Sequence, residues 1–211
     1  RLSGDGRSAF DPDSKRNFAR DGDTWIDVKT GVVICPKLKP STAQQPTPPT
    51  GTQVGSVPPV KLDKFAERIL DLHNAERAMV GVPPLKWSFE LVAGADTYSQ
   101  QLAKTGRRVH APREGRGDVR ENLNQGMLGW NADQMMANWL NEKPYFTPGI
   151  FPNVSTTGDW YKVGHYSQII WPTTTDIGCG MSSGSGYQWL VCRYSPGGNK
   201  DGKMVGLPQP S

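Results

Sequence analysis

His165 stands in GHYSQIIWPTTTDIGCG, residues 164–180, between a glycine and a tyrosine and just ahead of an apolar run. It is one of three histidines in 211 residues. Imidazole does chemistry when other polar side chains converge on it, as a ligand, a proton carrier or a donor. His110 lies in the polar loop RRVHAPREGRG, where packing does not require it. Two carboxylates occupy settings unusual for solvated charges: Glu121 opens RENLNQG, and Glu142 follows Trp139 by three residues, sharing one side of a short helix with it. Each alone is weak. The order is the informative part: loop His110, strand-edge Glu121, helix-end Glu142, strand-leading His165. Two neutral imidazoles suit zinc or another divalent cation, and two carboxylates can hold water or complete the shell. The remaining histidine, His73 in HNAER, reads as a packed residue hydrogen-bonded to neighbouring backbone.

The elements that must position these residues follow from periodicity and caps. Leu62, Phe65, Ala66, Ile69, His73, Glu76 and Val80 keep helical spacing, which Gly81-Val82-Pro83-Pro84 stops. Ser88 caps a second helix with Leu91, Ala95, Tyr98 and Leu102 inside, ending at Gly106. Asn131, with Gln134 three residues on, starts a third helix carrying Met135 and Trp139. Asn122–Gln125 reads as a strand, and Ser167–Trp171, Thr175–Ser182 and Tyr187–Tyr194 as an antiparallel meander. Helices first and strands last, without βαβ alternation, define an α+β class.

Ahead of this domain, at 61–211, lie two other textures. Residues 37–60 form a Pro/Thr-rich linker of polyproline character. Residues 1–36 form a polar β-type arm, with runs Arg16–Arg20, Thr24–Val28 and Val32–Cys35, an Asp21-Gly22 turn and a Lys29-Thr30-Gly31 turn. Such an arm cannot bury a core of its own. It is expected to dock on its own domain or on a neighbouring copy, making residues 1–60 a route to a homo-oligomer.

Composition bounds the function. Aliphatic and aromatic residues make up 36%, enough for one core, and no apolar run is long enough for a transmembrane helix. The net charge of +4 is too mild for a dedicated nucleic-acid partner. The chain begins at Arg1 without a charged-then-apolar leader, as expected of a processed or a trimmed chain. Cys179 and Cys192 flank the turn of GCGMSSGSGYQWLVC; they are a disulfide if the strands are in register, and otherwise two buried thiols. A disulfide points to an oxidising compartment. Cys35 is left over, as a free thiol or a cross-link at the arm's end. Arg116-Gly117-Asp118 spells an adhesion tripeptide by chance in a polar loop, and Asn153-Val154-Ser155 is an acceptor if the source glycosylates. Arg107, Arg108, Arg113, Arg116 and Arg120 form a cluster that is a solvated loop or an attractor of anionic glycans or lipid headgroups.

The motifs carry a resemblance. G-H-Y-S-Q-I-I-W at 164–171 is similar to the G-H-Y-T-Q-x-x-W hallmark of the CAP superfamily (cysteine-rich secretory proteins, antigen 5 and pathogenesis-related proteins). Cys192-Arg193-Tyr194-Ser195-Pro196-Gly197-Gly198-Asn199 resembles its C-x-Y-x-P-x-G-N, and His73, Asn74 and Arg77 its H-N-x-x-R. Arg120-Glu121-Asn122-Leu123 resembles its G-E-N-L, with arginine in the glycine position. The resemblance covers about 62–204 and not the arm. It implies an α-β-α sandwich with a cleft formed by His110, Glu121, Glu142 and His165, the two histidines being metal ligands for zinc or another divalent cation. It further implies a secreted, extracellular, periplasmic or cell-surface protein that binds a partner protein or a small lipid-like ligand, without established catalysis. Two alternatives stand beside it: a metal-dependent hydrolase with Glu121 or Glu142 as general base, and a structural subunit of an extracellular assembly joined through the arm.

Overall fold

The computed structural model describes residues 62–206 in full, together with four strands nearer the amino terminus. The chain divides into two units, Arg1–Lys61 and Leu62–Ser211. In the first, β1 (Ser8–Asp11), β2 (Arg16–Asp21), β3 (Thr24–Asp27) and β4 (Val33–Ile34) pair in sequence order as an antiparallel meander. Asp21 pairs with Thr24, so the β2–β3 connection falls at the expected place but one residue on from the Asp21-Gly22 centre that the signal set. The strand β1 was not foreseen, because SAFD has neither length nor alternation. Cys35, the Lys29-Thr30-Gly31 turn and the linker 37–60 lie outside the described residues.

The second unit opens with α1 (Lys64–Met79), whose first turn is capped by the Asp63 side chain on the Ala66 N–H at 2.7 Å. The short strand β5 (Lys86–Trp87) leads into α2 (Phe89–Thr105), capped by Ser88 and closed by a left-handed Gly106. After β6 (Arg120–Met127), α3 (Ala132–Leu140) begins with the expected Asn131/Gln134 capping box. Then come β7 (Gly149–Ile150), α4 (Gly164–Ile169), the hairpin β8 (Asp176–Gly184) and β9 (Tyr187–Ser195), and β10 (Met204–Val205), which pairs with β7.

Alternation along β9 builds the sandwich. Trp189 and Val191 point to one side and pack with Ala95, Tyr98 and Leu102 of α2. Leu190, Cys192 and Tyr194 point to the other and pack with Ile69 of α1, Met135 and Trp139 of α3, and Ile169 of α4. The central sheet runs β5-β8-β9-β6, parallel at its β5 edge and antiparallel elsewhere. Helix α2 lies so close to β8 that a Cβ on Gly180 would fall 2.3 Å from the Asp96 Cα. The α-β-α layering expected from the motifs is the one observed.

Two sequence expectations are corrected. Ser167–Trp171 is not a strand: His165 to Ile169 lie in α4, and the sheet's third antiparallel partner is β6. A short, continuously apolar run carries no period that separates a buried strand from a buried helix. Tertiary partners decide, because the Glu142 carboxylate accepts the N–H groups of His165 and Tyr166 at one end while the Arg77 guanidinium donates to the Ile169 carbonyl at the other. Glu142 itself lies beyond α3, which ends at Leu140, in a turn leading into a 3₁₀ segment at Lys143–Tyr145.

The open question about the cysteines is settled by register. Cys179 and Cys192 are directly opposed in the β8–β9 ladder and form a disulfide. The bond closes a sequence separation of 13 residues, which corresponds to about 3 kcal/mol of unfolded-state entropy. The double substitution Cys179→Ala/Cys192→Ala is expected to lower unfolding free energy by about that amount in urea titrations. An unchanged midpoint would show that the hairpin is held without the bond.

Candidate functional site

His110 and Glu121 come together because the loop after α2 returns to the start of β6. Glu121 is buried among donors: its Oε1 accepts from Arg193 Nε at 3.0 Å, and its Oε2 accepts the Ala111 N–H at 3.1 Å and His110 Nδ1 at 3.4 Å. Arg116 approaches the same carboxylate at 3.5 Å. Burial alone would raise the Glu121 carboxyl, but the His110 hydrogen bond, the Arg116 and Arg193 charges and the Ala111 N–H together hold it below the ordinary carboxylate range.

The second pair is tighter. Glu142 Oε1 accepts His165 Nδ1–H at 2.5 Å, while Oε2 takes the His165 and Tyr166 backbone N–H groups at 2.8 and 2.9 Å. The His165 ring stacks on Trp139, with centroids 5.9 Å apart and planes 16° apart. Trp139 therefore supports the site, though through the imidazole rather than by sharing a helix face with Glu142. In both pairs an ionised carboxylate can only accept, so Nδ1 carries the proton and Nε2 is left as the nitrogen with a free lone pair.

His110, Glu121 and His165 line one cleft of about 700 Å³, while Glu142 braces His165 from behind it. So the four residues selected from sequence are brought together, three at the wall and one beneath. Among the described residues no group of three or more His, Cys, Asp or Glu side chains is placed to hold a metal. The donor set offers two imidazole Nε2 atoms at one cleft, with water left to complete any shell, and does not fit a closed cage. Glu121 is ringed by donors on both oxygens, and Glu142 is committed to His165 and Tyr166, so each carboxylate is tied up in positioning rather than left facing the cleft.

Sequence reasoning missed much of the cleft. Arg193, the variable position inside the C-x-Y motif, engages Glu121, and Phe151, Trp160 and Tyr161 supply an aromatic part of the lining. Trp160-Tyr161, a doublet in an otherwise polar stretch, was the signal available. The arginine cluster is not uniformly solvated: the Arg116 side chain is 12% exposed and also donates to the Pro112 and Ala111 carbonyls. With Asp118 held by Lys200 at 2.6 Å, the adhesion-like tripeptide has both charged ends engaged within the fold.

The other family-like motifs are architectural. His73, fully buried, bonds the Ile69 carbonyl at 2.7 Å and the Tyr194 hydroxyl at 2.8 Å, as its packed reading required. Asn74 pairs with both backbone groups of Leu85, and Asn199 holds Ser167 and the Gly164 carbonyl beside the cleft.

The fold and the site together are those of a three-layer α-β-α sandwich with two carboxylate-braced imidazoles at one cleft. The profile of the cysteine-rich secretory protein family, CAP, matches residues 70–194, and the chain belongs to that family. Pathogenesis-related protein 1C of Nicotiana tabacum is 35% identical over 136 residues, 64% of this chain and 76% of that one. The human Golgi-associated plant pathogenesis-related protein 1 is 32% identical over 137 residues, 64% of this chain and 85% of that one. Among solved structures, NaASP2 with Zn2+ superposes with a TM-score of 0.57 at 21% identity, covering 71% of this chain and 88% of that one. The last likeness speaks to fold.

Proposed function

We propose that the protein is a secreted CAP-family binding protein whose cleft holds a divalent cation between His110 and His165 beside a small ligand, without turnover chemistry. The observation that supports it is the pairing of both Nδ1 atoms with carboxylates, which turns both Nε2 atoms into pre-oriented ligands. That a relative of the same fold was solved with Zn2+ makes zinc the first ion to test. The disulfide fits export to an oxidising compartment, and no helix among the described residues is long and apolar enough to cross a membrane. The commitment of both carboxylates to positioning contacts favours binding over hydrolysis.

Calorimetric titration of the purified chain is expected to show one zinc per chain. His110→Ala/His165→Ala is expected to abolish that binding while the circular dichroism spectrum is retained, because water and carbonyl oxygens alone do not select zinc. Zinc affinity unchanged in the double variant would refute the assignment.

A further inference from the structure

The cations that line the cleft are not equivalent. Arg113, Arg116, Arg120 and Lys200 face it against the carboxylates Glu121 and Asp201. Arg116 is engaged by Glu121 and by backbone carbonyls, and Lys200 by Asp118. Arg120 meets the carbonyl of Val119 at 3.3 Å, and among the described residues neither it nor Arg113 has a carboxylate partner. Two guanidinium groups are therefore left facing the groove, and a guanidinium presents a planar fork of donors that matches carboxylate, sulfate or phosphate oxygens.

In the aromatic part of the lining, Phe151 and Trp160 pack on the core while Tyr161 does not. Tyr161 is 74% exposed, yet its ring is stacked on Trp160 with centroids 4.1 Å apart and planes 25° apart. Trp160 in turn is held edge-on by Phe151 at 4.9 Å. A fixed, exposed aromatic face carries a cost in water that the fold does not recover, and it offers an apolar plane to another ring. Among the described residues no Val, Leu, Ile or Met side chain lines the cleft. An acyl chain selects aliphatic walls, whereas a sugar ring selects a flat aromatic face with charged and hydrogen-bonding groups at its rim. A volume of about 700 Å³ also exceeds what an inorganic anion fills.

We infer that the cleft binds an acidic saccharide, with Arg113 and Arg120 on its carboxylate or sulfate and the Trp160–Tyr161 platform under a sugar ring. This rests on the reading of the cleft as a ligand groove and names the ligand's chemical class. Arg120 occupies the position where the family motif has glycine, so the specificity belongs to this chain rather than to the fold.

Calorimetry on the full chain tests it with four probes: trigalacturonate, a heparin-derived tetrasaccharide, neutral maltotriose, and phosphatidate vesicles. Binding of an acidic saccharide, with maltotriose at least about tenfold weaker, is expected, and the stronger acidic probe tells carboxylate from sulfate. Arg113→Ala/Arg120→Ala is expected to weaken the acidic saccharide by about thirtyfold and Tyr161→Ala by about fivefold, each charged contact and each stacked ring adding its own increment. Neither acidic saccharide binding above the neutral control overturns the inference, as does affinity unchanged in both variants or binding confined to the vesicles. Zinc titration of the same preparation separates the two readings. Zinc bound without saccharide leaves the cation proposal standing alone, and saccharide bound without zinc does the reverse.

Discussion

Arg77→Ala is expected to lower unfolding free energy by about 4 kcal/mol or more, a large share of what holds a domain of this size. Arg77 is fully buried, and its cation is neutralised by backbone oxygens rather than by a carboxylate. Nε donates to the Pro83 carbonyl at 2.6 Å, Nη1 to Ile169 and Trp171 at 2.9 Å each, and Nη2 to Thr174 at 2.9 Å. Burial pulls the guanidinium down to about 10, a measure of how little solvent it keeps. One side chain on α1 thus gathers the loop after that helix, the end of α4 and the approach to β8. Truncation takes a donor from four backbone carbonyls, though Trp171 keeps the Thr174 N–H at 3.2 Å, and leaves a void among them. Arg77→Lys keeps the charge but has three donors on a flexible stem, so about half the loss is expected. Urea midpoints of the two variants decide it. A loss below about 1 kcal/mol for alanine would mean that water replaces the guanidinium freely.

Acid sensitivity follows from His73. Burial lowers the imidazole to about 4, against an opposing pull from the Ile69 carbonyl and with further lowering by Arg77. In the neutral ring Nδ1–H donates to Ile69 and Nε2 accepts the Tyr194 hydroxyl, so both nitrogens are engaged, and a proton on Nε2 would have to displace that hydroxyl's proton while its oxygen already accepts from Asn122. The sign follows directly. The folded pKa is depressed, so between about 6.5 and 4 the unfolded chain binds a proton that the folded chain refuses. Stability is therefore full above about pH 6.5 and falls as pH drops, by about 3 kcal/mol on reaching pH 4. Glu121, held below the ordinary carboxylate range, adds its own loss as pH falls through and below 4.5, where the unfolded carboxyl binds a proton that the folded one does not. Unfolding free energies from pH 7.5 to 4.5 should fall in wild type and flatten in His73→Gln, even if that variant starts lower. An identical slope in both would assign the acid response elsewhere.

Much of this architecture was legible in order along the chain. Helices α1, α2 and α3 announce themselves by apolar spacing, and α2 and α3 also by Ser88 and Asn131 at their starts, because capping and amphipathicity are local physics. The hairpin β8–β9 was legible from alternation around its Gly/Ser turn, and the four site residues from their types and their order in motifs. What could not be read was which local option wins where local preference is silent. GHYSQII becomes helix only because Glu142 and Arg77, 22 or more residues away in sequence, meet its end N–H and C=O groups. The disulfide needed the register that sets Cys179 opposite Cys192. The roles of the carboxylates needed their partners: Glu121 is bound into an arginine pair, and Glu142 is a brace beneath His165 rather than a wall. Sequence alone thus determined which elements form and which side chains are chemically able. Tertiary structure decided how they are used, because hydrogen-bond saturation and burial depend on groups that only folding brings within 3 Å of one another.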